Sequence, residues 1–468
     1  MKTFIYTILF VVLSVQSIAQ EQIQTLNMEE LLNIVRTYHP LITQSSIRIE
    51  KADAEVLLSK SNFDPILSNS MAKKTFDGKN YYDFTNPEIK IPTWFGMEIS
   101  GGLENLSGTK YDPSETIGRT NYAGISIPLV KNLLMDKRRA TLKQAKLFSS
   151  LAEVEKNALV NDVLMQAIEA YWNWVKSYQT YLVVKKNTEN SFSRVDFVKR
   201  SFVNGERPAI DTLEAYSQFQ SFQFQENSKW LEFQNAGLNL SLFLWKNENE
   251  SYEIPTSVTP QENWETEVNS SNFNFDISQL VSNASQNHPN NLVYTYKLDA
   301  LGIEKKLKFQ ELLPKIDFKY NLLGKGYNMG ESISQHNYFD NNFQSGIKLE
   351  MPLLFMKGRA EYKLAKLKIA ENTIDQTLKR NQIDIKIKSY YNEYVTLKSQ
   401  IILQSNMYEN YQLLVKAEET RLLNGESSLF LVNSRENKAL EALEKLIDLK
   451  TKYFKTIYAI KWSAGQLK

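Results

Sequence analysis

Cysteine is absent from all 468 residues, which removes disulfides, thiolate nucleophiles and cysteine-bound zinc from consideration. It also removes a lipidated N-terminal cysteine, so the mature chain is read as not acylated at its start. Histidine occurs three times, too seldom to supply a metal centre. Glycine and proline number 17 and 12, few for this length. That scarcity disfavours many short elements and favours long helices. Neither sign of charge dominates, with 55 basic and 53 acidic residues, so no nucleic-acid partner is implied. The chain also lacks a nucleophile elbow, a Gly-rich phosphate loop and a Walker motif, so neither an enzyme nor a cofactor is expected. Long apolar runs are missing except at the start. There Lys2, the apolar residues 5–15 and Ser17-Ile18-Ala19 read as a secretory signal over 1–19, cleaved before Gln20. Its run of about 11 residues is short of the ~20 a membrane span needs.

What is present is a sequence written twice. Tyr38-His39-Pro40 is answered by Asn287-His288-Pro289, and Pro65 and Pro314 each follow 25 positions later. Gly124-Ile125-Ser126-Ile127-Pro128-Leu129 is answered by Gly346 to Leu353, and Phe202-Val203-Asn204-Gly205-Glu206 by Leu422-Leu423-Asn424-Gly425-Glu426. A period of roughly 220 to 250 residues is too long for a solenoid and marks a duplicated unit. The copies fall at 20–246 and 275–468. Between them, 247–274 is a polar connection containing Pro255 and Pro260.

Each copy contains a long heptad helix. In the first, Leu147, Leu151, Val154, Ala158, Asn161, Met165, Ile168, Trp172 and Val175 alternate spacings of four and three. The second repeats this over Ile383, Ile387, Tyr390, Tyr394, Leu397, Ile401, Gln404, Tyr408, Tyr411, Val415, Glu418 and Leu422. A 3.5-residue period implies left-handed coiled-coil packing. About 65 residues at 1.5 Å rise make a rod of ~100 Å, long enough to cross a periplasm. Asn204-Gly205 and Asn424-Gly425 end these helices with a left-handed cap, and shorter return helices follow over about 208–245 and 428–462. His39 and His288, each before a proline, are read as helix breakers rather than metal ligands.

Elsewhere the period is two. Ile316, Phe318, Tyr320 and Leu322 alternate with Asp317, Lys319 and Asn321, and Ile347, Leu349 and Met351 with Lys348 and Glu350. Ile125 and Ile127 flank Ser126 in the first copy. Such strands suit a transmembrane barrel or one face of a sandwich. One pair per copy gives four strands, which cannot close alone, and open edges are forbidden in lipid. Three chains would supply twelve. Residues 66–123 exceed their counterpart 315–345 and are read as strand extension, a folded-back loop or an additional hairpin.

These landmarks resemble the TolC-like outer-membrane efflux and export channels over nearly the whole mature chain. The shared features are the proline after the first helix, strands ending in Pro128-Leu129 and Pro352-Leu353, basic helix starts at Lys137-Arg138-Arg139 and Lys357-Gly358-Arg359, and the two glycine tips. The resemblance implies a mainly α fold of duplicated strand-strand and helical-hairpin units. It implies a homotrimer with a 12-stranded barrel in the outer membrane, strands near 66–130 and 315–355, and an α-helical tunnel in the periplasm. It also implies a passive conduit that docks a periplasmic adaptor and, through it, an inner-membrane pump or ABC exporter. The tips, with Asn204, Gly205, Arg207, Asn424, Gly425 and Ser427, are the candidate docking surface. Acids shortly after the tip glycine ring the pore in that family, so Asp211 and Glu214 are candidate gate residues, favouring cations. They are equally the acids a helix N-terminus attracts, and the second copy has Leu431 and Ser434 instead. An adaptor-like coiled coil or a secreted structural coiled coil is the alternative. A typical adaptor, however, has one hairpin and an anchor.

Overall fold

A computed structural model describes residues 25–468 apart from 110–115, 248–249, 262, 265–274, 337 and 339; the signal segment and much of the polar connection lie outside these. In chain order come β1 (Thr25–Leu26), α1 (Met28–Tyr38), α2 (Pro40–Lys60), β2 (Ile66–Phe76), β3 (Lys79–Pro92), β4 (Glu98–Ser107) and β5 (Gly118–Pro128). Then α3 (Lys137–Val203) and α4 (Ala209–Ser241) form the first hairpin, followed by the short β6 (Trp245–Asn247), β7 (Glu250–Ser251) and β8 (Thr259–Pro260). The second copy runs α5 (Ile277–Asn287), α6 (Pro289–Gln310), β9 (Lys315–Lys325), α7 (Met329–Ser334), β10 (Phe343–Glu350), α8 (Met356–Leu423) and α9 (Leu429–Ser463).

The matched helices break in the same way. The N–H of His39 donates to Val35 O (3.2 Å) and that of His288 to Ala284 O (3.1 Å). Both histidines then take extended backbone, ψ 126° and 127°, as a residue before proline must. His39 is buried, its Nδ1 accepting the Leu41 N–H at 3.3 Å, and burial lowers its pKa below 6.5. A base held neutral in the fold contributes stability above its unfolded pKa and loses it as pH falls through the folded one. Between pH 7 and about pH 5 the wild type should therefore lose more stability than His39→Asn, which keeps an acceptor but cannot charge. Chemical-denaturation midpoints at the two pH values check this.

The chain divides into two compact units, each drawing on both copies: residues 1–44, 157–288 and 381–468 in one, and 45–156 and 289–380 in the other. In the first, the main core gathers Val163 to Val175 of α3, Phe233 and Leu240 of α4, and Tyr453, Phe454 and Ile457 of α9. Trp172 stacks on Phe454 with ring centroids 4.4 Å apart. All the heptad positions read from the sequence are buried or half-buried. The polar interruptions are satisfied rather than tolerated. Asn161 Nδ2 donates to Trp462 O (3.0 Å) while its Oδ1 accepts the Leu467 N–H (3.1 Å), and Gln404 Nε2 donates to Ala442 O (2.9 Å).

The second unit holds a six-stranded antiparallel sheet in the order β10-β9-β5-β4-β3-β2. The alternation alone predicts four such strands per chain; among the described residues this sheet has six, because 66–123 supplies an additional hairpin. Its turn is Asp77-Gly78, with φ of 51° and 68°, the two left-handed residues a type I′ turn needs. Polar residues within it (Asn69, Lys73, Asn86, Glu88) blur the period-two pattern there. Where the strands meet helices, the copies are tied together. The N–H of Leu129 donates to Ile316 O (2.8 Å), that of Asn132 to Gln310 Oε1 (3.0 Å), and Lys131 Nζ lies 2.7 Å from Glu311 Oε2.

Candidate functional site: the hairpin tips and the sheet

The two long helices end in the same turn. The Gly205 N–H donates to Phe202 O and the Glu206 N–H to Ser201 O, both at 2.9 Å, with Gly205 at φ 76°. Gly425 (φ 77°) and Glu426 repeat this on Leu422 O and Arg421 O at 3.2 and 2.9 Å. These are Schellman caps, and glycine takes the left-handed position without a Cβ penalty. Asn204, Gly205, Asn424 and Gly425 are exposed.

Arg207 and Ser427 are half-buried and turned inward. Arg207 Nη1 pairs with Asp211 Oδ2 at 3.2 Å, and its Nη2 donates to Leu422 O at 3.3 Å, so one guanidinium joins the first tip to the last turn of α8. Ser427 Oγ donates to Glu418 Oε1 at 2.5 Å. The two hairpins pack through Val195, Val198, Ala215, Leu422, Leu429 and Val432.

Asp211 lies in the first turn of α4, where the dipole favours an acid, and Arg207 compensates its charge. Glu214 Oε1 accepts from Asn433 Nδ2 at 3.4 Å. Both acids thus engage neighbouring tip residues. They sit beside a network that periodicity did not single out. Arg194 grips Glu436 bidentately, with Nη1 to Oε2 at 2.5 Å, and reaches Asn433 Oδ1 and Glu419 Oε1, each at 3.4 Å. One clue was in the heptads: Glu418, a buried carboxylate at a seam position, lies 3.7 Å from Arg421 Nη1. Among the described residues no cluster suits a metal ion, and no helix is long and apolar enough to cross a membrane.

The strand register sorts the sheet into two faces. One row across all six strands reads Leu67, Ile89, Gly101, Ala123, Leu322, Phe343. The adjacent row on the opposite face reads Ile66, Lys90, Ser100, Gly124, Asn321, Gln344. Ile99, Ile125, Ile347 and Leu349 extend the apolar face, and Glu98, Ser126, Lys348 and Glu350 the polar one. At Gly124 an added Cβ would run into the Asn321 amide, which would have to shift to admit it. At the end of the sheet near Lys325, Asn121 Nδ2 donates to Gly326 O and Ser332 Oγ, both at 3.0 Å, and Tyr338 donates to its Oδ1.

The chain thus combines a duplicated helical hairpin with a two-faced antiparallel sheet. No family model and no curated protein matches the sequence. Among solved structures, the chain is similar to the CmeC outer membrane channel of Campylobacter jejuni, with TM-score 0.65 and 15% identity over 94% of this chain and 86% of that one. It is similar also to the outer membrane protein VceC of Vibrio cholerae (0.65, 12%, over 94% and 97%). A third is the MtrE outer membrane channel of Neisseria gonorrhoeae (0.64, 11%, over 94% and 89%). The fold is therefore that of the TolC-like outer-membrane channels.

Proposed function

We propose that the chain is the outer-membrane channel of a tripartite efflux or type I secretion system. In this reading it is a homotrimer and a passive conduit, working with a periplasmic adaptor and an inner-membrane pump or ABC exporter. The observation that carries it is the sheet: one face is predominantly apolar and the other predominantly polar, as a wall between lipid and an aqueous lumen requires. The fold likeness supports the same reading. So do exposed apolar residues of α8 outside its seam, among them Ile385 (66% exposed), Ile402 (58%) and Leu413 (66%), which a neighbouring copy would cover. Recovery with outer-membrane lipid and discrete conductance steps in planar bilayers test it. Purification from the soluble periplasm would overturn it.

The exposed tips at Asn204-Gly205 and Asn424-Gly425 are the proposed adaptor contact. Asp211 and Glu214 are the proposed gate, with Arg207 as a clamp on Asp211. Replacing both acids with alanine should raise single-channel conductance and weaken cation preference. Arg207→Ala should instead strengthen cation preference, because Asp211 loses its counter-charge. Unchanged conductance and selectivity in both variants would place the gate elsewhere.

A further inference from the structure

The edge strands of the sheet point to how neighbouring copies join. β2 and β10 are its two open edges, and every residue of both is exposed. Unpaired backbone groups at such an edge cannot be left in a bilayer. Within one chain the edges belong to the same sheet and run antiparallel, since six strands alternate in direction. We infer that β10 of each chain pairs with β2 of the next, so that three copies close a barrel of eighteen strands. This rests on the trimeric channel reading above.

Two observations place the additional hairpin in the wall rather than beside it. First, β3 is bonded to β4 along most of its length, from Asp83 opposite Ser107 to Pro92 opposite Glu98. The hairpin is therefore continuous with the sheet. Second, the apolar face does not stop at β4. Leu67 and Met71 of β2 and Ile89 and Ile91 of β3 lie on the same face as Ile99, Ile125 and Phe318, with Asn69 between the first two and the Lys73–Asp83 ion pair only nearer the turn; Leu67 and Met71 are 79% and 73% exposed. A hairpin folded into an aqueous lumen would have no use for a lipid-type face in register with the other four strands. Barrel diameter grows with strand number, so the mouth in the membrane is wider than four strands per chain would give.

The cysteine-free sequence makes the test direct. Leu349→Cys on β10 is combined in turn with Leu67→Cys or Asn69→Cys on β2, all on the apolar face, and separately with Ile99→Cys on β4. The variants are oxidised in outer membranes and run on non-reducing gels. Covalent dimers and trimers with a β2 partner, and none with Ile99→Cys or with Leu349→Cys alone, are expected. Cross-linking to β4 instead would mean that four strands per chain form the wall, and would overturn the inference. So would an intact outer-membrane trimer that cross-links at neither strand. A chain found monomeric or outside the outer membrane would sink the channel reading itself.

Discussion

Arg194→Ala is expected to destabilise the hairpin tips by about 3 kcal/mol, the scale for removing one partner of a desolvated ion pair. The guanidinium is only 14% exposed and Glu436 16%, so alanine leaves a carboxylate facing little water. The loss should be local. Amide hydrogen exchange should speed around 195–219 and 429–436 while the core near Trp172 keeps its protection, because distant units open independently. Arg194→Lys should recover only part of the effect, since a point charge cannot grip both carboxylate oxygens. The double variant Arg194→Met with Glu436→Leu should lie nearer wild type than Arg194→Ala, because no buried charge is left unmatched. If the single and double variants exchange alike, the ion pair is not what closes the tips.

Trp172→Ala should cost about 3 to 5 kcal/mol, as expected for emptying an aromatic site in a packed core. The indole is 3% exposed, stacked on Phe454 and edge-on to Tyr171 with centroids 5.4 Å apart. Its loss leaves a cavity bounded by α9, which belongs to the other copy. Trp172→Phe should cost far less, because it keeps the stack and removes an indole N–H that has no acceptor among the described residues. Denaturant midpoints followed by circular dichroism, with equal transition slopes, would check both. Equal losses for alanine and phenylalanine would show that the indole's size is not what fills the core.

The long helices were legible because their cause is local. A 3.5-residue apolar period over many turns has one structural solution, and the glycine that ends each helix is dictated by backbone sterics. Even the polar seam residues Asn161, Gln404 and Glu418 stood in the pattern, although their partners lie elsewhere in the chain. The β2–β3 hairpin was harder to read. Asp77-Gly78 was a turn signal in plain view, but Asn69, Lys73 and Glu88 interrupt the alternation on which strand recognition depends. Apart from Glu418 at a seam position, the tip network was not legible. Arg194 lies 239 residues from Asn433 and 242 from Glu436, and a charged residue on a helix ordinarily faces water. Only the packing of one hairpin on the other shows that it does not.

The polar interruptions in the apolar seams bear on how the tips could move. Sliding α8 along its neighbours by one heptad would keep apolar seam residues against apolar ones and so cost little in apolar contact. It would, however, strand the Gln404 amide and the Glu418 carboxylate, at about 1 to 3 kcal/mol each. Asn161 locks α3 to the end of α9 in the same way. Lengthwise ratcheting is thereby penalised along the seams, whereas pivoting of one hairpin about its far end is opposed chiefly at its tip, by the Arg194–Glu436 pair and the Arg207 bond to Leu422 O. Widening at the tips should follow the geometry of an iris, with each blade turning as a rigid piece.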